Sequence, residues 1–453
     1  MREILLHDTL TGELQPLLPR DPGRVGVYAC GPTVYGRIHV GNARPFVIFS
    51  LLARFLRHEG YAVTLVINIT DVNDKIYDAA RALGQPSAEL AARMSEHYRA
   101  DTDALGLGRP DHEPLASETI GPIRDYITAL IERAHAYAAG GDVYFRVRSD
   151  PSYGSLSHRQ LESMDQGEEG PDPANPAARK EDPLDFALWK AHKPGEDTVW
   201  DAPWGPGRPG WHIECSAMAE QLLGVGFDVH GGGSDLVFPH HENEAAQTRA
   251  ARGAELTKLW MHNGMIQFTG EKMAKSLGNI APLHEVLEGY GREALVMYLI
   301  SGHYRQPLAF SQAALEQAQA NVKRIREAGR RLSRGDSPAE LGSVRDRFFE
   351  ALARDFNTAE ALAALNEWTR EASGGAWQAP GDAHLREMLA VLGLESLLAP
   401  GEQAPERVHE LAEQREHARG ERDFAAADRL REEIAALGWE VRDGPGGFDL
   451  LPQ

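Results

Sequence analysis

One stretch near the N-terminus restricts the fold more than any other part of the chain. Val25 to Cys30 reads as a short buried strand, and the break Gly31-Pro32-Thr33 separates it from an amphipathic helix predicted at about Val40 to His58. A second buried strand, Val63 to Asn68, follows directly. Two such strands joined by a helix indicate a parallel sheet, whose nucleotide sites lie at the carboxyl ends of its strands. We therefore expect an α/β fold with a Rossmann-like parallel sheet.

The rest of the chain predicts an insertion in this sheet domain and helices after it. The stretch from Asp165 to Pro183 is rich in Gly, Pro, Asp and Glu, which favours surface loops. The pattern of buried strands resumes from Trp211. From about Ala281 the pattern is helical, without strand alternation until Trp439. The apolar residues spaced like one face of a bundle are Phe348, Leu352, Phe356, Leu362 and Leu365. The expected segments are 1–120 and 206–280 for the two halves of the sheet domain, 121–205 for the insertion, 281–400 for a helical bundle and 401–453 for a small α+β module.

Charge and composition exclude several classes of protein. Acidic residues outnumber basic ones by 67 to 47, a net charge of −20, which argues against broad binding to nucleic acids or anionic membranes but allows a local basic surface. The longest apolar run, around Phe46 to Leu52, is far shorter than the roughly 20 residues of a membrane span. No signal-peptide pattern opens the chain, so we expect a cytoplasmic protein without a disulfide between its two cysteines, Cys30 and Cys215.

Two short motifs offer groups for phosphate chemistry. His39-Val40-Gly41-Asn42 opens the first long helix, where free amides and the helix dipole favour phosphate, and Gly41 allows a flat base to approach. Lys272-Met273-Ala274-Lys275-Ser276 offers two ammonium groups that could neutralise a triphosphate in its transition state. Taken singly, the two motifs also fit an ordinary polar helix turn and a solvated lysine pair.

Together these motifs resemble the HIGH and KMSKS signatures of class I aminoacyl-tRNA synthetases. Further blocks are similar to the cysteinyl-tRNA synthetase family within that class, namely 68–75, 210–218, 230–235, 238–244, 303–307, 355–362 and 423–429. The resemblance therefore covers nearly the whole chain. Asn42 stands where HIGH has its final histidine, and Ala274 stands where KMSKS has its first serine. Neither departure removes a charge.

The residue types around the two cysteines suit a zinc site. Cys30, Cys215, His240 and Glu244 supply two thiolates, one imidazole and one carboxylate, and the last two lie one helical turn apart. Spacing alone does not show that Cys30 meets Cys215, because a free cysteine is more often a small buried hydrophobe. His241 competes with His240 as the imidazole ligand. The resemblance implies the four-ligand set and one Zn²⁺ per chain.

A metal would solve a recognition problem for this family. Cysteine and serine differ by one atom, and an apolar pocket rejects such a near-isostere by only about a hundredfold. Zinc deprotonates a thiol of pKa about 8.5 at neutral pH far more readily than an alcohol, and thiolate is the softer ligand. The resemblance implies that zinc selects the substrate thiolate and that Thr70, Trp211 and His230 lie beside the amino-acid pocket.

The resemblance also implies a two-step reaction without a protein nucleophile. The carboxylate of L-cysteine attacks the α-phosphate of ATP, which carries Mg²⁺, and a ribose hydroxyl at the end of tRNA(Cys) then takes the cysteinyl group. His39 and Asn42 would face the phosphates and ribose, while Lys272 and Lys275 would face the leaving pyrophosphate. The residues expected to line the nucleotide are Gly41, Gly231, Gly232, Gly233 and Asp235.

For tRNA, the resemblance assigns the acceptor end to 121–205, stem contacts to 281–400 and the anticodon to 401–453. A local basic stripe would serve phosphate contacts, although a solvated helix face is the ordinary alternative; it consists of Arg305, Lys323, Arg324, Arg326, Arg330, Arg331 and Arg334. We expect a monomer.

Two other functions are compatible with the catalytic half. One is an ATP-dependent cysteine ligase that acts on an amino sugar in thiol-cofactor biosynthesis and needs no anticodon module. The other is a non-catalytic regulator descended from a synthetase. The helices predicted after Pro405 argue against the first, and the retained His39, Lys272 and Lys275 argue against the second.

Overall fold

We describe the protein from a computed structural model. The described residues are 2–164, 180–268, 271–272, 281–375, 377–399, 404–444 and 447–452. The chain forms two compact units, Met1–Leu394 and Glu395–Gln453.

The first unit begins with the predicted strand, helix and strand. A hairpin of β1 (Leu5–Asp8) and β2 (Glu13–Pro16) precedes β3 (Arg24–Ala29), and helix α1 (Val40–His58) crosses over to β4 (Ala62–Ile67), which pairs with β3 in parallel. Helix α1 buries most of its residues because its apolar side chains recur on nearly every face. The predicted α1 is confirmed at both ends.

The chain then folds into helices and a smaller sheet. Its elements in order are α2 (Asp74–Leu83), α3 (Ser87–Asp103), α4 (Ile120–Glu132), β5 (Ala136–Ala139), β6 (Asp142–Phe145), β7 (Phe186–Ala191) and β8 (Gly207–Pro209). The four strands are antiparallel neighbours in chain order. The sequence did not predict this sheet. The loops expected over Asp165 to Pro183 fall mostly outside the described residues.

The chain returns to the central sheet through two further crossovers. Helix α5 (Trp211–Leu223), β9 (Phe227–Gly233), α6 (Glu242–Arg252) and β10 (Thr257–Asn263) follow in order. The sheet order is β10-β9-β3-β4, all neighbours are parallel, and every residue of the inner strand β9 is buried. The predicted α/β fold, a Rossmann-like parallel sheet interrupted by an insertion, is confirmed.

Helices dominate the remainder of the first unit. A small sheet of β11 (Ile266–Phe268), β12 (Glu271–Lys272) and β13 (Leu308–Phe310) accompanies α7 (Leu283–Tyr290), α8 (Arg292–Leu299), α9 (Gln312–Gly329), α10 (Gly342–Ala353), α11 (Thr358–Ala372) and α12 (Ala383–Val391). The predicted bundle face is confirmed, since Phe348, Leu352, Phe356, Leu362 and Leu365 are all buried. The expectation of no strand before Trp439 is wrong for β13, whose three residues are too few to produce an alternating pattern.

The second unit is a small α+β module with its own core. Helices α13 (Glu406–Gly420) and α14 (Phe424–Ala436) precede an antiparallel hairpin of β14 (Trp439–Gly444) and β15 (Gly447–Pro452). The core of the unit consists of Val408, Leu411, Ala412, Ile434, Trp439 and Val441. Both predicted helices and the predicted hairpin are present. Within the described ranges of the two units, no helix is long and apolar enough to cross a membrane.

Asp355 joins two sequence blocks that lie 50 residues apart. Its Oδ2 accepts hydrogen bonds from Arg305 Nε at 2.9 Å and Nη2 at 2.6 Å, and its Oδ1 accepts from Tyr304 Oη at 2.9 Å and the backbone N–H of His7 at 3.0 Å. Burial opposes ionisation, but the hydrogen bonds from His303, Tyr304, Arg305 and His7 lower the pKa of Asp355 to about 2. Arg305 thus forms an ion pair with Asp355, although its side chain remains 38% exposed.

We expect Asp355→Asn to lower the free energy of unfolding by about 2 to 3 kcal/mol at neutral pH, because it weakens hydrogen bonds to a charged acceptor. The folded-state pKa is depressed, so this stabilisation is present above about pH 4 and is lost as the pH falls toward about 2. Urea unfolding of wild type and variant at neutral and acidic pH measures the difference. Asp346→Asn, at an exposed ion pair, is the control and should cost under about 1 kcal/mol. Equal losses in the two variants would contradict the special role of Asp355.

Candidate active site and metal centre

Four side chains from separate elements converge at the carboxyl end of β3. Cys30 follows that strand, Cys215 lies in the second turn of α5, His240 precedes α6, and Glu244 lies in its first turn. All four are buried. The Sγ atoms of the cysteines are 3.7 Å apart; Cys30 Sγ is 3.5 Å from His240 Nε2 and 3.7 Å from Glu244 Oε1. His240 Nε2 and Glu244 Oε1 are 2.9 Å apart. The fold thus brings together the two cysteines that sequence spacing left separate.

These separations fit the geometry of a tetrahedral zinc ion. Ideal Zn–S and Zn–N bonds place two sulfur ligands about 3.8 Å apart and a sulfur and a nitrogen about 3.5 Å apart. The corresponding distances here are 3.7 Å for Cys30 and Cys215 and 3.5 Å for Cys30 and His240. One donor atom from each of the four residues lies within 4.8 Å of the others. The residues present therefore fit a zinc ion.

The electrostatics of the cluster favour a cation. Burial opposes ionisation of Cys215, but the hydrogen bond from the Cys30 thiol and the charge on His240 lower its pKa to about 6. Burial also opposes ionisation of Glu244, yet His240 and His230 lower its pKa to about 2. Burial disfavours a charged His240, and Glu244 and Cys215 reverse this and raise its pKa to about 10. A thiolate, a carboxylate and a protonated imidazole thus share an enclosed site, and a divalent cation that took the place of the imidazole proton would neutralise the two anionic donors.

Neighbouring side chains orient these donors. The Nδ1 atoms of His212 and His240 are 2.9 Å apart, which leaves His240 Nε2 directed at the cysteines. His230 Nε2 is 3.0 Å from Glu244 Oε2, so the other carboxylate oxygen remains available to the cluster. Trp211 stacks on His240, with ring centres 4.2 Å apart and planes inclined by 21°. Such contacts around ligands fix their orientation and tune metal affinity.

A second donor set shares part of this cluster. Cys30 and Glu244 could combine with His230 and His241 instead, since His241 Nε2 lies 3.2 Å from Cys30 Sγ. This set omits the Cys215 sulfur, although it is only 3.7 Å from that of Cys30. The set with two sulfurs is the better zinc site because zinc favours thiolate ligands.

Helix α1 begins next to this edge of the sheet. His39 is its N-cap residue: His39 Nδ1 accepts a hydrogen bond from the N–H of Gly41 at 3.0 Å, and Asn42 Oδ1 accepts one from the N–H of His39 at 3.2 Å. This reciprocal cap is a structural reason for both side chains, in addition to the predicted phosphate role. Gly41 is required here, because a Cβ atom would lie 2.8 Å from the His39 ring.

The structure describes the segments on either side of the lysine motif. Downstream of it, the N–H of Val40 donates to Ala281 O at 3.1 Å, and the N–H of Leu283 donates to Ile38 O at 3.1 Å. Upstream, the backbone of Lys272 pairs with Gln267 in the small sheet. The side chain of Lys272 and all of Lys275 lie outside the described residues. The segment that begins at Ala281, after the motif, is therefore bonded to the start of α1, and the backbone of Lys272 belongs to the small sheet.

Other side chains and the backbone pack closely against the three glycines at the end of β9. A Cβ atom on Gly231 would meet the Phe49 ring at 2.1 Å, one on Gly232 would meet Leu236 at 2.8 Å, and one on Gly233 would meet Asp235 Oδ1 at 2.5 Å. Packing alone thus accounts for three glycines that the sequence assigned to the nucleotide.

Thr70 lies at the same sheet edge, after β4. Its N–H donates to Pro32 O at 3.1 Å, and its hydroxyl accepts from Asn68 Nδ2 at 3.3 Å. The loop after β3 and the loop after β4 pass very close to each other, as the space beside Gly31 shows: a Cβ atom there would lie 1.7 Å from Asn68 O. Of the three predicted pocket residues, Thr70 and His230 are buried and Trp211 is half-buried.

Sequence reasoning missed the roles of His212 and His262. His212 contacts the metal-site residue His240, and His262 Nε2 lies 2.7 Å from His241 Nδ1. The sequence did offer one signal for these roles. Histidine is concentrated in this segment, since five of the 18 histidines fall between residues 212 and 262. Burial lowers the pKa of both side chains below the usual histidine value, so both are neutral hydrogen-bonding groups.

The parallel sheet with the HVGN turn beside its edge, together with the match of residues 16–320 to a class I tRNA synthetase catalytic domain, defines a class I aminoacyl-tRNA synthetase. Methionyl-tRNA synthetase of Mycobacterium tuberculosis, solved with methionyl-adenylate, aligns with a TM-score of 0.57 over 82% of this chain and 88% of that one, at 16% identity. A ternary complex of Agrobacterium radiobacter K84 agnB2 LeuRS aligns with a TM-score of 0.60 over 85% and 84% of the two chains, at 13% identity. These two likenesses concern the fold.

Sequence comparison identifies the family. Residues 16–320 match the catalytic domain of class I (C) tRNA synthetases, and residues 402–448 match the cysteinyl-tRNA ligase anticodon binding domain. Relatives named cysteine–tRNA ligase from Alkalilimnicola ehrlichii and Halorhodospira halophila are each 46% identical to this chain, with 98% of both sequences covered. The chain belongs to the cysteine–tRNA ligase family and is an ATP-dependent ligase of protein biosynthesis. The anticodon-domain match argues against the amino-sugar ligase alternative.

Proposed function

We propose that one zinc ion, held by Cys30, Cys215, His240 and Glu244, selects cysteine for attachment to tRNA(Cys). The observation that carries the proposal is the fit of the four donor atoms to tetrahedral zinc, with the two sulfurs 3.7 Å apart. Zinc bound here supplies an electrophile that prefers a thiolate to an alcohol. Selectivity would then depend on the chemical element in the substrate rather than on the shape of the pocket.

The surrounding side chains would fix the metal ligands and close the amino-acid pocket. His230 is fully buried and contacts Glu244. We therefore expect His230 to influence cysteine binding indirectly, by orienting the metal ligand Glu244. Trp211 is only half-buried and stacks on His240, which leaves one face available to a substrate side chain. Thr70 lies near Cys30 in the fold, because its N–H donates to the carbonyl oxygen of Pro32, two residues after that cysteine.

Catalysis would consist of positioning and charge stabilisation. The cysteine carboxylate attacks the α-phosphate of ATP with its Mg²⁺, and the phosphate–pyrophosphate bond breaks. A ribose hydroxyl of tRNA then attacks the cysteinyl carbonyl and AMP leaves. At the positive end of the α1 dipole, on either side of Gly41, His39 Nε2 and Asn42 Nδ2 would face the phosphates, while His39 Nδ1 and Asn42 Oδ1 accept the cap hydrogen bonds. Lys272 and Lys275 would stabilise the leaving pyrophosphate. The residues proposed to line the adenosine are Gly231, Gly232, Gly233 and Asp235.

The segments would divide the work on tRNA. Residues 1–120 and 206–280 form the catalytic domain, 121–205 receive the acceptor end, 281–400 contact the stem and 401–453 read the anticodon. Six exposed basic residues on and after α9 support the stem assignment, namely Lys323, Arg324, Arg326, Arg330, Arg331 and Arg334. We further propose that the protein acts as a monomer.

The test is ATP–pyrophosphate exchange with each amino acid in turn, followed by aminoacylation of total tRNA and metal analysis of the same preparation. The proposal requires exchange with cysteine alone, charging of tRNA(Cys) and one zinc per chain. Exchange without tRNA charging would favour a ligase for another acceptor. Selective cysteine activation by fully metal-free enzyme would remove zinc from the proposal.

Ending the chain at Leu394 is expected to separate the two reactions, because residues 1–394 form a compact unit. Pyrophosphate exchange should change less than about twofold, whereas tRNA charging should fall at least about a hundredfold through lost anticodon contacts. The salt dependence of the remaining tRNA binding should persist, because the basic residues after Lys323 are retained. If exchange and melting temperature fell together with charging, the second unit would be a brace for the first. Full charging by the truncated protein would exclude the anticodon role.

A further inference from the structure

Arg44 is a fully buried arginine in the first turns of α1, two residues after the HVGN motif. Its side chain has 0% exposure, and its Nη1 donates to Gly264 O at 2.6 Å and to Gln306 O at 2.9 Å. Longer contacts reach Met265 O at 3.5 Å and His303 O at 3.4 Å. One guanidinium thus joins α1 to two separate backbone turns.

The burial of this charge is unusual because backbone carbonyls alone are its partners. In the described part of the chain, no carboxylate lies within ion-pair distance of Arg44, and its Nε has no hydrogen-bond partner. Burial lowers the pKa of Arg44 to about 10, so the side chain remains charged at neutral pH. Buried arginines are normally paired with acids. A position that keeps an unpaired charge close to the phosphate-binding end of a helix suggests a functional reason.

The turn held by Arg44 borders the proposed nucleotide site. Gly264 and Met265 connect β10 to β11, and the Met265 Sδ atom lies 3.4 Å from the place where a Cβ atom on Gly233 would be. Gly264 itself has no room for a side chain, because Gln306 O and C would lie 2.4 Å from its Cβ. The Gly264–Met265 turn forms the wall next to Gly233. The close contact between Gly264 and Gln306 holds this wall on one side, and Arg44 holds it on the other.

The same turn leads to the lysine motif. Strand β11 starts at Ile266 and pairs with β12, which contains the backbone of Lys272. Arg44 therefore links the HVGN turn, the wall beside Gly233 and the base of the strand pair that precedes Lys275. The zinc-site residues lie on other elements, namely the end of β3, α5 and α6.

We propose that Arg44 is a positioning residue for ATP. It sets the distance between the HVGN turn of α1 and the Gly264–Met265 turn, and it adds positive potential to the site where the triphosphate binds. This inference rests on the proposed function of the site. It predicts that a change at Arg44 affects ATP and leaves cysteine recognition intact.

Arg44→Lys is the test, because lysine keeps the charge but cannot reach both turns with one planar group. Arg54→Lys is a matched control on the same helix, where Arg54 Nε and Nη2 donate to Ala390 O at 2.9 and 2.6 Å, away from the site. In pyrophosphate exchange, we expect Arg44→Lys to raise the KM for ATP about 10- to 100-fold and to change the KM for cysteine less than about twofold. Arg54→Lys should lower the melting temperature without changing either KM.

Ligand-induced shifts in melting temperature provide a second readout. Arg44→Lys should lose the shift caused by ATP and keep the shift caused by cysteine. Equal increases in both KM values, or a lower melting temperature with unchanged KM values, would overturn the proposal. Should Arg44→Lys fail to fold, Met265→Ala decides, since it alters the same wall without touching the guanidinium. An unchanged KM for ATP in that variant would also overturn the proposal. Cysteine-dependent exchange by the wild type tests the proposed function separately from either variant.

Discussion

Replacing Lys275 with alanine is expected to lower the rate of cysteine-dependent ATP–pyrophosphate exchange by about two to four decades. The ammonium group would face the pyrophosphate as it leaves, where negative charge increases between the bound state and the transition state. An interaction that strengthens in this way contributes to turnover more than to binding. The loss corresponds to about 3 to 5 kcal/mol of activation free energy. Binding of cysteine should be nearly unchanged, because the proposed zinc site, and not Lys275, would hold the amino acid.

Steady-state exchange and equilibrium binding of cysteine distinguish these effects. Lys272→Ala should behave similarly but with a smaller loss. Lys258→Ala is the control, since its Nζ donates to Leu18 O at 2.8 Å on the outer side of β10 and its removal should leave exchange intact. A Lys275 variant with weaker ATP affinity and normal turnover would show that the lysine serves ground-state binding. If the Lys275 variant had a normal exchange rate and normal affinity for ATP, the lysine motif would have no role in catalysis.

The sequence predicted those parts of the fold that local patterns determine. Helix α1 was predicted at both ends because a strand, a break and a long apolar helix follow one another without interruption. The sheet of β5 to β8 was missed, since none of its strands is longer than six residues and 40 residues separate β6 from β7 in the sequence. Strand β13 has only three residues, and its pairing with β11 depends on a contact between distant segments.

The candidate site divides in the same way. The i, i+4 spacing of His240 and Glu244 is local, and their 2.9 Å contact follows from it. The approach of Cys30 and Cys215, which are 185 residues apart, is a property of the folded sheet and could be inferred only from the family resemblance. The ion pair between Arg305 and Asp355 could not be predicted for a similar reason, because Asp355 belongs to a loop 50 residues away.

Cys215→Ser is expected to lose zinc and, with it, the preference for cysteine over serine. Serine is nearly isosteric with cysteine, so the variant should keep the packing of α5 while exchanging a soft thiolate for a poor zinc ligand. Zinc content should fall from one per chain to below about a tenth. The ratio of kcat/KM for cysteine to that for serine should fall to about a hundredfold or less, the discrimination that shape alone provides.

The alternative donor set makes a different prediction for the same variant. If Cys30, His230, His241 and Glu244 held the ion, Cys215→Ser would retain full zinc, and His241→Asn would lose it. With the two-sulfur set, the outcome is reversed: His241→Asn keeps one zinc per folded chain and its cysteine preference. Measuring zinc and exchange on both variants therefore distinguishes the two donor sets and identifies the source of selectivity. Loss of zinc from Cys215→Ser with undiminished rejection of serine would show that the metal supports the fold and that another group reads the thiol.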